Sequence, residues 1–424
     1  MLPALIVFLA TYALMIALPK YRAYVALTSA VIYVVFGILP VRGVLPSIDW
    51  NVILMITGTM GIVNLFIESR MPSRIADQII KRAPNVKWTI IALSIFAGII
   101  SAFVDNVATV LMVAPVAVTI ANKLEISPVP SVIAISIASN LQGAATLVGD
   151  TTSIMLGSYA DMDFLDFFWM EGRPGMFLVV QLGMVAATLV LLRIFRRYNQ
   201  SVEIGKITEV DDFFPTILLG DTVVLLIFAS FIPNKPDITN GLICVGLMFI
   251  GIIYEVIRQK KTVVLVRTLM QVDYFTILLL ASLFVVIAGI KEAGIIDMIA
   301  ELFLKVGGDS VFLMFSIILW ASVLLSAFID NIPYVATMLP VVTSIAAFMG
   351  IEPYILYFGL LSGATLGGNM TPIGASANIM AIGILRKNGN EVTNTAFMKI
   401  SVPYTLTAVT VAYILLWLIW GTSS

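Results

Sequence analysis

Composition, the length of the apolar runs and an internal duplication together predict an all-α integral membrane protein built from inverted repeats. The expected architecture is about 10 transmembrane helices, two re-entrant hairpins and two broken helices. Hydrophobic residues make up 60% of the chain and charged ones only 12%, with a mean hydropathy of +1.04. Soluble domains carry roughly 25% charged residues, so a soluble reading fails. The apolar runs approach the roughly 20 residues that a helix needs to cross a bilayer core of about 30 Å. They do not alternate apolar with polar residues as barrel strands do. The chain also repeats itself: Ser101-Ala-Phe-Val-Asp-Asn-Val returns as Ser326-Ala-Phe-Ile-Asp-Asn-Ile. Asp105 matches Asp330 and Gly149 matches Gly374 at a constant offset of 225 residues, with ten of 21 positions identical over 101–121. Internal repeats with interrupted apolar segments are the mark of a secondary transporter fold.

The first repeat, residues 1–197, opens with apolar segments near 2–18, 23–39 and 50–67, then an amphipathic basic stretch at 70–82. A hairpin follows near 88–121, interrupted at Asp105-Asn106, and then a broken helix near 131–158, interrupted at 149–152. A span near 176–192 closes the repeat, and the polar residues 198–213 read as a cytoplasmic linker. The second repeat, 214–424, reproduces this order: spans near 214–232, 241–256 and 274–290, and an amphipathic stretch at 295–305. Its hairpin lies near 311–349 around Asp330-Asn331, its broken helix near 354–385 around 367–374, and its last span near 402–420.

Lysine and arginine placement sets the orientation. If each Asp-Asn segment is a re-entrant hairpin, each repeat has five spans, an odd number, and the halves must be inverted. With the N-terminus outside, 19 of the 24 basic residues, Arg22 among them, fall in cytoplasmic loops. Only Arg42, Arg173, Lys235, Lys291 and Lys305 fall outside. The expectation is a multi-pass protein of the cell membrane with both termini outside. Residues 1–19 lack a basic n-region and read as a first span rather than a signal peptide. No basic cluster suits nucleic acid. There is no histidine, so proton handling falls to carboxylates, and the single cysteine, Cys244, reads as core.

Charged residues inside apolar segments are costly and point to function. Asp105 and Asp330 can ligate Na⁺ or exchange it for a proton, while Asn106, Thr109, Asn331 and Asn378 offer neutral oxygens. Capping of the next half-helix is the plainer reading of each aspartate and is compatible with the first. Non-helical backbone at membrane depth is tolerated where it lines a cavity. Here it falls at the two tips and at the breaks around Gly149-Asp150-Thr151-Thr152 and Gly368-Asn369-Met-Thr371-Pro-Ile-Gly374-Ala-Ser376. Freed carbonyls at such breaks can bind Na⁺, and half-helix N-termini can face an anion. Asp150 is answered by Ala375, which suggests two unequal sites and marks Asp150 as a candidate proton carrier. Glu68 and Glu292, at span ends, are read as interfacial.

These motifs, in this order, resemble the ion transporter superfamily, which includes arsenite/antimonite permeases, NhaD-type sodium/proton antiporters, the pigment-cell P protein and divalent-anion/sodium symporters. Residues 326–337 and 367–378 resemble the arsenite-permease and P-protein branch, and Gly149-Asp-Thr-Thr-Ser-Ile-Met155 is similar to the NhaD pattern. Dicarboxylate symporters carry Ser-Asn-Thr at both tips, where this chain has Asp-Asn. The resemblance implies coupling-ion sites at Asp105-Asn106 with the Gly149 break and at Asp330-Asn331 with the Gly374 break. It also implies a substrate between the tips and a homodimer working by an elevator-type motion. The first expectation is an arsenite/antimonite-type permease driven by H⁺ or Na⁺, with no cofactor beyond that ion. Sodium/proton antiport and a Na⁺-coupled di- or tricarboxylate (citrate-like) symporter are the alternatives, and an intramembrane aspartyl protease is a remote one. No lysine or arginine is expected in the site, so an anion would rely on helix N-termini and a bound Na⁺.

Overall fold

The computed structural model describes residues 1–202, 207–260 and 263–421, so Lys206 and Lys261 of the charge pattern lie outside the described residues. The chain is almost entirely helical. The first repeat holds α1 (Leu2–Ala17), α2 (Arg22–Val35), α3 (Val41–Ser47), α4 (Trp50–Glu68) and α5 (Met71–Arg82). It continues with α6 (Val86–Ser101), α7 (Asn106–Lys123), α8 (Val129–Gln142), α9 (Thr151–Tyr159) and α10 (Met176–Ile194). The second repeat answers in order with α11 (Phe214–Ala229), α12 (Thr239–Gln259), α13 (Val263–Met270), α14 (Tyr274–Glu292) and α15 (Ile295–Gly307). Then come α16 (Val311–Ser326), α17 (Asn331–Met349), α18 (Tyr354–Gly367), α19 (Ser376–Lys387) and α20 (Asn394–Trp420). One short antiparallel pair, β1 (Trp169–Met170) and β2 (Arg173–Pro174), sits between α9 and α10.

Among the described residues, seven helices are long and apolar enough to cross a membrane: α4, α7, α10, α12, α14, α17 and α20. The number rises to nine if α1 with α2, and α15 with α16, each bent by 116°, are taken as single spans. Three shorter apolar helices, α6, α8 and α11, complete the hydrophobic set. Each expected apolar segment coincides with a helix, and α7 and α17, the second legs of the two expected hairpins, are themselves long enough to cross. Local sequence explains the starts: Asp49 accepts from Val52 N at 3.0 Å to cap α4, and Asp273 accepts from Thr276 N at 3.1 Å to cap α14.

The repeats are interlocked rather than side by side. Helix α4 packs on α12, and α14 packs on α2, so the fourth helix of each half lies on the second helix of the other. A Cβ at Gly58 would stand 2.3 Å from the Cys244 carbonyl carbon, so the α4–α12 crossing needs glycine there. Helix α6 packs on α8 and α16 on α18, while α10 packs on its own counterpart α20. At the centre, Asn140 Nδ2 donates to the carbonyl of Thr365 at 2.8 Å. These two residues are 225 positions apart, so the bond joins a residue to its own repeat mate. The pseudo-two-fold axis therefore passes close to it, between the two broken helices.

Candidate functional site

Each hairpin tip is clasped by the helix break of its own repeat. Asp105 Oδ2 accepts from Val107 N at 3.0 Å and Ala108 N at 3.1 Å, which starts α7. Asp330 Oδ1 accepts from Ile332 N at 3.1 Å, which starts α17. Both aspartates are thus caps, as the plainer reading expects. Thr146 Oγ1 donates to the Ala102 carbonyl, and Thr371 Oγ1 donates to the Ala327 carbonyl, so one bond occurs in both halves. Gly149 lets the chain pass under the first tip: a Cβ there would lie 3.1 Å from the carbonyl oxygens of Ser101 and Ala102. At Gly374 the equivalent distances to Ser326 and Ala327 are 2.7 and 2.9 Å.

The breaks are braced by short side chains. Ser153 Oγ donates to the Gly143 carbonyl at 2.9 Å, and its counterpart Asn378 donates Nδ2 to the carbonyls of Gly368 (3.2 Å) and Thr371 (3.1 Å). Asn378 Oδ1 in turn accepts from Ser136 Oγ at 2.7 Å. Asn369 Nδ2 reaches the Ile137 carbonyl at 2.9 Å, while its Oδ1 is buried without a partner among the described residues. Thr109 uses its hydroxyl on the Asp105 carbonyl at 3.1 Å. These residues hold the site's backbone and do not line its cavity.

A cavity of about 190 Å³ gathers Asp105, Asn106, Asp150, Thr151, Asn331 and Ser376 from the two tips and breaks. Its opposite wall is Asn64 of α4 with Gln271, Asp273 and Thr276 at the start of α14. Asp150 is buried and shared between the halves. Its Oδ1 accepts from Thr151 N at 2.8 Å, and its Oδ2 from Thr152 Oγ1 at 2.8 Å and from Asn331 Nδ2 at 3.0 Å. Asn106 Nδ2 donates to Asn140 Oδ1 at 2.8 Å, and the hydroxyls of Thr152 and Thr365 meet at 3.0 Å. The cavity thus presents three carboxylates, Asp105, Asp150 and Asp273, with neutral amide and hydroxyl groups, although among the described residues no three acidic groups cluster closely enough to hold a metal ion by themselves. A larger chamber of about 550 Å³, lined by Asn51, Asp163, Lys235 and Asn240, contains none of the duplicated motif residues. Volume alone would select it; the convergence of both repeats selects the smaller one.

Asp330 lies beside the cavity. Its Oδ2 accepts from Ser376 Oγ at 3.2 Å and forms an ion pair with Arg22 Nη1 at the start of α2. This corrects the expectation that no lysine or arginine reaches the site. Arg22 carries no local signal, since it opens a helix as an interfacial cation does and its partner is 308 residues away. Asp273 had one usable clue, its alignment with Asp49 at the start of a matching helix. Glu68 stays out of the cavity as expected, paired with Arg267 and accepting from Gln271 Nε2 at 3.2 Å.

The CitMHS family model, described as citrate transporter, matches residues 12–361. A 46 kDa membrane protein of Mycobacterium leprae is 31% identical over 98% of both chains. An uncharacterized transporter of Mycobacterium tuberculosis is 32% identical, again over 98% of both. The human P protein is 24% identical over 86% of this chain and 53% of its own length, in line with the P-protein resemblance of the tip motifs. The crystal structure of the Alcanivorax borkumensis YdaH transporter shares the fold, with a TM-score of 0.58 and 15% identity over 87% of this chain and 84% of that one.

Proposed function

This chain belongs to the family described as citrate transporter, and on that premise we propose that it couples the movement of a small anion to a cation. The cation binds at the cavity wall formed by Asp105 and Asp150. One observation carries this reading: Asp150 lines the cavity while its Oδ2 is held by Asn331 of the opposite hairpin at 3.0 Å. A cation arriving at that oxygen competes with the bond between the halves, which links occupancy to their arrangement. The carboxylates of Asp105, Asp150 and Asp273 in so small a space repel an anion. A Na⁺ or proton on them removes part of that repulsion, so cation loading comes before anion binding. Na⁺ fits the mixed carboxylate and amide oxygens better than a proton, which needs a single carboxylate.

The family description favours a citrate-type carboxylate as the first anion to test, with an arsenite/antimonite-type oxyanion second. Sodium/proton antiport is the other reading, favoured because Asp105, Asp150 and Asp273 line the cavity without a lysine or arginine. The working unit in this proposal is a homodimer in the cell membrane, with both termini outside and the tips moving together against α2, α4, α12 and α14.

Proteoliposomes with imposed Na⁺ and pH gradients decide among these. Na⁺-dependent uptake of labelled citrate or arsenite supports the anion carrier. Na⁺-driven proton movement without any anion supports the antiporter. Uptake indifferent to ions on the far side of the membrane would sink coupling altogether.

A further inference from the structure

We propose that Arg22 is a tethered cation that holds the cation place at Asp330, so that only the Asp105–Asp150 wall takes a mobile coupling ion. The proposal rests on the cation-coupled reading above and specifies its stoichiometry.

The two tips are copies in sequence but not in charge. At the first, Asp105 spends Oδ2 on capping, and no hydrogen bond to its Oδ1 is present among the described residues. Asp150 adds a second carboxylate beside it in the cavity. The counterpart of α2, helix α12, starts Thr239-Asn240-Gly241, with no basic residue in its first turn. The cavity at the first tip is therefore lined by three carboxylates, Asp105, Asp150 and Asp273, and by no lysine or arginine.

At the second tip both features reverse. Ala375 replaces the Asp150 carboxylate, and Arg22 brings a guanidinium onto Asp330 Oδ2. The Arg22 and Asp330 side chains are only 15% and 10% exposed, so this is a largely buried pair and not a surface contact. The guanidinium is a positive charge fixed to the chain and cannot leave as a bound ion does. Asp105 thus shares its cavity with the carboxylates of Asp150 and Asp273 and no basic residue lines it, whereas the Asp330 carboxylate is matched by Arg22. A mobile monovalent cation is drawn to the first and meets a neutralised carboxylate at the second. Arg22 Nε is buried with no partner among the described residues.

The test is ²²Na⁺ binding to the purified full-length protein in nanodiscs at pH 8. The expected count is one Na⁺ per chain in the wild type and two in Arg22→Gln, returning to one in Arg22→Gln/Asp330→Asn. Arg22→Lys, which keeps a fixed cation, should stay at one. A wild type that binds two Na⁺, or a folded Arg22→Gln that still binds one, overturns the tethered cation and leaves the coupling reading standing. If Arg22→Gln fails to fold, Asp330→Asn decides alone: a count that stays at one supports the proposal, and a drop defeats it. A wild type that binds no Na⁺, or whose count is unchanged by both Asp105→Asn and Asp150→Asn, defeats the underlying cation site and this proposal with it.

Discussion

Asp150 is the residue at which the two halves stop being copies. It was legible because a carboxylate in an apolar run demands an explanation, and the same holds for Asp105 and Asp330. Its bond from Asn331 was not legible, because that partner comes from the other repeat. Arg22 escaped for the same reason: charge counting places a basic residue at a membrane surface but says nothing of a carboxylate that folding brings to it. Asp150→Asn keeps size and shape while removing the charge. Coupled uptake in proteoliposomes should fall roughly tenfold or more, equivalent to about 1.4 kcal/mol of lost cation binding. The elution profile of the purified protein should not change. Wild-type uptake in this variant would reduce Asp150 to a helix cap.

The tips and breaks were readable as elements because each interrupts an apolar run with residues that helices avoid: Gly149 and Gly374, Pro372, and the Asp-Asn pairs. The amphipathic α5 and α15 were equally plain from their periodicity. Helices α3 and α13 and the β1–β2 pair have no signature in the sequence. Each is too short for its pattern to rise above a loop, and α3 even holds Pro46. The glycines of the two breaks make a graded prediction. A methyl at Gly374 meets the tip carbonyls at 2.7 and 2.9 Å, against 3.1 Å for both at Gly149. Gly374→Ala should destabilise the protein by about 1–3 kcal/mol, as overpacking of a tight contact does, and Gly149→Ala by less. Thermal unfolding of the two variants side by side measures the order, and the reverse order would contradict the tighter clasp at the second tip.

For the whole molecule, duplication and charge bias were enough to anticipate inverted halves. The interlocking was beyond reach, because α2 on α14 and α4 on α12 are contacts between repeats that no local period encodes. The orientation is open to direct measurement. In a Cys244→Ala background, a cysteine at the exposed Asn234 should react with a membrane-impermeant maleimide on intact cells. A cysteine at the exposed Asn388 should react only after permeabilisation. The opposite pattern would invert the assigned sides while leaving the helix order intact.

The bond from Asn140 to Thr365 places one point of the chain in both copies at once. A substitution there alters the surroundings of both halves in a single step, so a change in one copy is felt directly by the other. The copies differ even there, asparagine in one and threonine in the other, as they do at Asp150 and Ala375 a short way out. The chain therefore has one centre that belongs to both halves, around which the two copies carry different chemistry.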